Sequence, residues 1–265
     1  MKKIFLATSA LLALSTAALA ADLPGRKAAP APVFAAPVFT WAGLYVGANV
    51  GYVALDSKSH DVNGWSDLVS STKTKAHGAI GGAQIGYNFQ TGAFVYGVET
   101  DIAFASAKKS TGFTDIGPGH IDAEMFRNEL TALGTLRARA GVAFDRTLLY
   151  VTGGLAYGKV KNSWAASWSY SPTETYNIVA QSDKWRFGWT VGAGVEQALS
   201  NNWTVKLEGL YYDLGKKNIA ALETCDGVDC GVTNVYAQRV KNDGWLIRAG
   251  LNYKFGAPAP VVAKY

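Results

Sequence analysis

Trp41-Ala42-Gly43-Leu44-Tyr45-Val46-Gly47-Ala48-Asn49-Val50 is the stretch on which the fold turns. It lies in an uncharged run, Ala28 to Leu55, long enough to cross a bilayer as a helix. Pro30, Pro32 and Pro37 oppose a helix, because proline lacks the amide donor. Gly43, Gly47 and Gly51 oppose it through backbone entropy. Alternation decides the matter. Ala42, Leu44, Val46, Ala48 and Val50 fall on one face at period two, the signature of a strand.

The same period returns seven more times. Ala83, Ile85, Tyr87 and Phe89 oppose Gln84, Asn88 and Gln90, and Phe94, Tyr96, Val98, Ile102 and Phe104 oppose Glu99 and Asp101. Leu136, Ala138, Ala140 and Val142 oppose Arg137 and Arg139. Leu149, Val151, Leu155 and Tyr157 oppose Thr152 and small residues. Trp185, Phe187, Trp189 and Val191 oppose Arg186, Thr190 and Glu196. Trp203, Val205, Leu207 and Tyr211 oppose Lys206 and Glu208, and Trp245, Ile247, Ala249, Leu251, Tyr253 and Phe255 oppose Arg248, Asn252 and Lys254. Apolar-out and polar-in strands suit a membrane barrel, though a soluble sandwich also alternates.

Two features separate these readings. Short turns at Thr91-Gly92, Asp145 to Thr147 and Ser200 to Asn202 alternate with long polar segments. The long ones are Asp56 to Lys75, Ala105 to Glu129, Lys161 to Lys184 and Gly215 to Lys241, read as four external loops. Aromatics also gather at both strand ends. Phe89, Phe94, Phe144, Trp203, Tyr253 and Phe255 make one rim, and Tyr52, Phe104, Tyr157, Trp185, Phe187, Tyr211 and Trp245 the other. Amphipathic rings settle at headgroup depth, so two rims mean two membrane interfaces. In lipid every backbone amide needs a partner, so the eighth strand must meet the first. The expected fold is all-β, an eight-stranded antiparallel up-and-down transmembrane barrel.

Targeting agrees. Lys2 and Lys3, the apolar run Ile4 to Leu14 and Ala18-Leu19-Ala20 form the three regions of a secretory signal. Cleavage after Ala20 would give a chain beginning Ala21-Asp22. The expected organisation is a signal at 1–20, an Ala/Pro-rich periplasmic linker at 21–40, the barrel at 41–255 and a periplasmic tail at 256–265. Only 17% of residues are charged, against 29 glycines and 12% aromatics, which suits lipid-facing strands. The net charge of +5 loses two with Lys2 and Lys3, and no basic patch for nucleic acid remains. Cys225 and Cys230 are expected to form a local disulfide in an oxidising compartment, with a metal site as the alternative.

The chain resembles the small outer-membrane barrel proteins of Rhizobium- and Brucella-like bacteria, a porin-related family of surface antigens. Trp41-Ala42-Gly43-Leu44-Tyr45-Val46-Gly47, Gly81-Gly82-Ala83-Gln84-Ile85-Gly86-Tyr87-Asn88, Tyr150-Val151-Thr152-Gly153-Gly154 and Ala249-Gly250-Leu251-Asn252-Tyr253-Lys254-Phe255 carry the likeness. The resemblance implies a cell outer-membrane location with loops outside and both termini in the periplasm. It implies that Leu251, Tyr253 and Phe255 form the C-terminal signal read by the barrel-assembly machinery. Such barrels usually end on that aromatic, whereas this chain continues to Tyr265. It further implies that Ala21-Asp22 joins peptidoglycan as an amino-terminal tether.

The inward charges are the sharpest constellation. Glu99, Asp101, Glu196 and Glu208 are set against Arg137, Arg139, Arg186, Lys206 and Arg248. An eight-stranded lumen is just wide enough for side chains to fill. Balanced charge there reads as an ion-paired plug, with a narrow porin for small solutes as the alternative. A lipid-modifying barrel enzyme would need a histidine beside a serine at the rim. His77 is followed by Gly78 and Ala79, and His60 and His120 are read as loop residues, so no enzyme is expected. Asp226 and Asp229 read as solvated, with weak Ca²⁺ binding as the alternative. Some members of the resembled family bind haem, for which His60, His120 and Tyr176 would be the candidate ligands; no cofactor is expected. The expected function is a structural surface protein that supports the envelope.

Overall fold

A computed structural model describes residues 39–62, 71–171, 174–225 and 235–256. The signal, most of the linker and most of the tail expected from the sequence lie outside them. Eight strands follow one another in chain order: β1 (Gly43–Asp61), β2 (Ser71–Thr91), β3 (Phe94–Gly117), β4 (His120–Phe144), β5 (Thr147–Ser171), β6 (Glu174–Ala198), β7 (Trp203–Cys225) and β8 (Val235–Lys254). Each pairs antiparallel with its neighbours, and β1 pairs with β8 from Tyr45↔Lys254 to Asp61↔Gln238. The ring is closed, so neither outer strand is left as an edge.

The outer wall is the apolar set of the alternation. Val50, Ile85, Val98, Ile102, Leu136, Val151, Leu155, Val191, Leu207 and Ile247 face outward and are exposed. Phe89, Phe94, Phe144, Trp203 and Phe255 stand exposed toward the short-turn end. Tyr52, Phe104, Trp185, Phe187, Tyr211 and Trp245 stand exposed farther along the strands.

The four long polar segments are mostly not loops. β3 and β4 stay paired to Gly117↔His120, so only Pro118 and Gly119 connect them. β4 pairs with β5 out to Ile121↔Ser169, and β1 with β2 out to His60↔Ser71. The strands are 19 to 25 residues long, where about ten suffice to cross a bilayer. Past the second aromatic rim the wall faces water, so Lys58, Lys73, Lys75 and Lys108 replace the apolar residues of the outer face. Inside stand Ser57, Ser59, Thr72, Thr74, Asn128, Asn162 and Gln238, all buried. Pairing continues while the hydropathy contrast between faces vanishes, and that contrast was the only strand signal.

The lumen is filled in layers. Trp41, Val95, Leu148, Tyr150 and Ala198 form an apolar floor at the short-turn end, with Phe39 packed edge-on to Trp41 at 5.1 Å. A charged layer follows. An apolar layer that includes Val53, Leu55, Ile80, Leu133, Leu210 and Leu246 covers it on the far side. Beyond that lies the polar interior of the extension, where Ser57 donates to Asn242 at 2.6 Å and Ser59 to Gln238 at 2.7 Å.

Candidate functional site: the charged layer of the lumen

Period two puts Glu99 and Asp101 on the inner face of β3, Arg137 and Arg139 on β4, Glu196 on β6, Lys206 and Glu208 on β7 and Arg248 on β8. All are at most 4% exposed. Register then brings them to one height. Glu99 stands opposite Arg137, Glu196 opposite Lys206 and Glu208 opposite Arg248 on neighbouring strands.

Each charge meets its opposite. Arg137 donates through Nη2 to Glu99 at 2.5 Å and through Nη1 to Glu208 at 2.9 Å. Arg248 donates to both oxygens of Asp101 and through Nε to Glu208 at 2.8 Å. Lys206 Nζ donates to both oxygens of Glu99 at 2.8 Å. Arg139 donates to Glu196 at 2.7 Å and lies 4.1 Å over the Tyr150 ring. Four carboxylates face four cations. A buried ion costs several kcal/mol in lost hydration, and only close, hydrogen-bonded pairing offsets that.

Neutral groups complete the shell. Tyr45 donates to Glu99 at 2.7 Å and accepts from Arg139 at 2.8 Å. Tyr150 donates to Glu208 at 3.0 Å, Thr135 to Asp101 at 2.5 Å and Thr204 to Glu196 at 2.5 Å. Asn252 donates to Glu196 at 2.8 Å and accepts from Gln84. The tyrosines and threonines were not singled out from the sequence. Tyr45 and Tyr150 occupy inward positions of strands whose apolar residues point to lipid, and that parity was the available signal. Gly86 belongs to the same shell. A Cβ there would lie 2.3 Å from the Tyr45 hydroxyl, so the bare backbone makes the room that Tyr45 fills.

Arg186 was expected in this cluster and stands apart from it. It makes no ion pair among the described residues, and its Nη2 has no hydrogen-bond partner among them. The reason is height. Reading across the ladder, Arg137 lines up with Gly154 and Thr190, whereas Arg186 lines up with Gly158 and Leu133. Alternation gives a residue its face, and register gives it its level. Arg186 lies four residues beyond Thr190, at the level of the apolar cover.

Other sequence candidates fall elsewhere. His77 faces outward, stacked on Tyr52 at 6.1 Å between ring centres. His60 lies on β1 opposite Ser71 and His120 opens β4, so both are strand rather than loop residues. Tyr176 lies on β6. Among the described residues no group of three His, Cys, Asp or Glu could hold a metal. Cys225 ends β7, while Cys230, Asp226 and Asp229 lie outside the described residues.

A family model for the outer membrane protein beta-barrel domain matches residues 6–255. The chain belongs to that family. It is 39% identical over 263 residues to the 31 kDa outer-membrane immunogenic protein of Brucella melitensis, covering 96% of this chain and all of the relative. It is 33% identical to the 25 kDa outer-membrane immunogenic protein of Brucella abortus over 96% of this chain and 99% of that one. The 22 kDa outer membrane protein of Rhizobium leguminosarum is 32% identical over 69% of this chain and 68% of its own length. Among solved structures, OprG from Pseudomonas aeruginosa superposes with a TM-score of 0.50 at 14% identity, over 82% of this chain and 97% of that one. The chain is thus an outer-membrane barrel, and its apolar outer wall is a lipid-facing surface.

Proposed function

We propose that this protein is a closed structural anchor of the outer membrane whose lumen conducts no solute and whose strands carry a rigid β extension outward. One observation carries the reading: the charged layer is sealed on both sides. One inward step beyond Asp101, Glu208 and Arg248 stand Ala103, Leu210 and Leu246, all 3% exposed or less. On the other side stand Trp41 and Leu148, at most 1% exposed. An ion crossing this path would shed its water and break paired charges, which costs more than thermal motion supplies. The test is single-channel recording of purified protein in a planar bilayer. Silence across voltage supports the anchor, and stepwise conductance supports a narrow porin.

In this reading the short turns and both termini face the periplasm and the extension faces outward. That fits a family whose relatives are named as immunogenic. Leu251 on β8 and Phe255 just past its end are exposed on the outer face, where an assembly machine could read them with Tyr253. A Cys225–Cys230 bridge would close the β7–β8 connection, and non-reducing intact mass lower by two hydrogens supports it. Cleavage after Ala20 would leave about twenty linker residues, reaching about 60 Å in polyproline form, far enough for Ala21-Asp22 to meet peptidoglycan. Muropeptide on Ala21 after muramidase digestion supports the tether, and a uniformly free amino terminus removes it.

A further inference from the structure

The wall is not continuous between β6 and β7. Ladder pairs run up to Trp189↔Asp213 and resume at Val179↔Leu222. Residues 180–188 of β6 and 214–221 of β7 face each other without ladder pairs. A bulge on β7 causes this. Asp213 pairs with Asp243 and Lys216 with Lys241, so Leu214 and Gly215 stand against Asn242 alone. Gly215 has a φ of 74°, in the left-handed region, and its amide donates to Asp213 Oδ1 at 2.8 Å. The extra residue keeps β7 on β8 and turns it away from β6.

A cavity of about 260 Å³ occupies the opening. Lys184, Arg186, Lys216 and Lys217 line it with Trp185 and Phe187, and no carboxylate does. The acids next to the lining segments in sequence are engaged elsewhere: Asp183 with Lys159 at 3.4 Å, and Asp213 with Lys241 at 3.1 Å. Arg186 is 6% exposed, and its Nη2 lacks a partner among the described residues. A buried guanidinium nitrogen without a partner among the described residues is costly, so the site suits an anion.

Depth narrows the anion. Trp189 and Tyr211, the last outward rings below the opening, contact each other at 5.5 Å between centres. Trp185 and Phe187 flank it, 47% and 76% exposed. Outward aromatic rings mark headgroup depth, where lipid phosphates lie. Arginine presents a planar fork that matches phosphate oxygens, and lysines add charge at the rim.

We propose that the opening between β6 and β7 is a binding site for the phosphate headgroup of an anionic membrane lipid. Arg186 holds the phosphate from the lumen side, and Lys216 and Lys217 hold it from the rim. The test is native mass spectrometry of the full chain released from micelles that contain phosphatidylcholine and phosphatidylglycerol in equal amounts. The expected result is retained phosphatidylglycerol adducts in preference to phosphatidylcholine. Arg186→Gln should lower that preference about fivefold, in line with loss of one cation at headgroup depth. Lys216→Gln with Lys217→Gln should do the same, and these exposed side chains leave the barrel intact if Arg186→Gln does not fold. Equal retention of both lipids, or an unchanged preference in the lysine variant, would overturn the site. Displacement of the adduct by millimolar inorganic phosphate would overturn its assignment to a lipid, and insensitivity to it supports the lipid.

Discussion

Arg248 and Asp101, 147 residues apart in the chain, form a two-pronged pair across the lumen, with Nη1 to Oδ1 at 3.0 Å and Nη2 to Oδ2 at 2.9 Å. Their strands, β8 and β3, are not neighbours; β1 and β2 stand between them on one side of the ring. Backbone ladders join only adjacent strands, so pairs of this kind brace opposite walls. Arg137, which reaches from β4 to Glu208 on β7, is a second brace. The charged layer therefore ties opposite walls of the barrel together.

Removing a brace should expose the cost of the charges it leaves. Arg137→Ala leaves Glu99 on Lys206 and Glu208 on Arg248 but gives the buried layer one uncompensated negative charge beside a cavity. Removing one partner from a buried ion-pair network costs about 3–5 kcal/mol. The urea midpoint of the folded barrel in micelles should fall accordingly. Lys159→Ala, which breaks an exposed pair with Asp183, should cost about 0–1 kcal/mol. Equal losses in the two variants would mean the lumen is wet.

Gly86 offers a test without changing any charge. In Gly86→Ala the new methyl would lie 2.3 Å from the Tyr45 hydroxyl, which must then leave Glu99 or Arg139. Overpacking of this kind costs roughly 1–3 kcal/mol. Gly81→Ala is the control, since its nearest contact is 3.5 Å away. Thermal unfolding of both variants checks the difference, and a drop in Gly81→Ala as large as in Gly86→Ala would refute the shell described here.

The fold was legible because lipid imposes a contrast on every strand. Val98 and Glu99 differ as sharply as side chains can, and the contrast repeats wherever the outside is hydrocarbon. The charged layer was legible for the same reason, since Glu99, Arg137 and Arg248 occupy inward positions of lipid-facing strands. Strand length was not. At Lys108↔Glu129 or Asn162↔Ser182 both faces are polar, and a paired strand reads like a loop. Height was not legible either, because no local pattern encodes the register that separates Arg186 from Arg137.

Beyond the rim, Lys241 bridges Asp213 at 3.1 Å and Asp243 at 3.3 Å. The hydrogen bond to Asp213, helped by Asp243, raises its pKa above the ordinary lysine value. A raised pKa stabilises the fold below the unfolded-state value, and that contribution is lost as pH rises through the folded value. Lys241→Gln should therefore lower the urea midpoint slightly at neutral pH. The gap from the parent protein should close in strongly alkaline buffer. A gap that widens with pH would contradict the bridge.

The extension separates two readings of the segments between the rim and the strand tips. If they were loops, Lys108, Lys109, Arg127 and Lys161 would offer trypsin extended, unpaired chain, which is the form a protease needs. In the structure Lys108 pairs with Glu129, Lys109 with Asn128 and Arg127 with both Ser110 and Ser163. Lys161 pairs with Glu129 on one side and Asp183 on the other. Arg127 and Lys161 are held on both sides and cannot enter a protease cleft without local unfolding, which the neighbouring ladders oppose. Lys108 and Lys109 are held by β4 alone, because the β2–β3 ladder ends at Ile80↔Ala105. Trypsin added to the folded barrel in micelles should spare the bonds after Arg127 and Lys161 for as long as the gel shift of the unboiled protein persists. Rapid cleavage at Arg127 or Lys161 in protein that still migrates as a folded barrel would restore the loop reading.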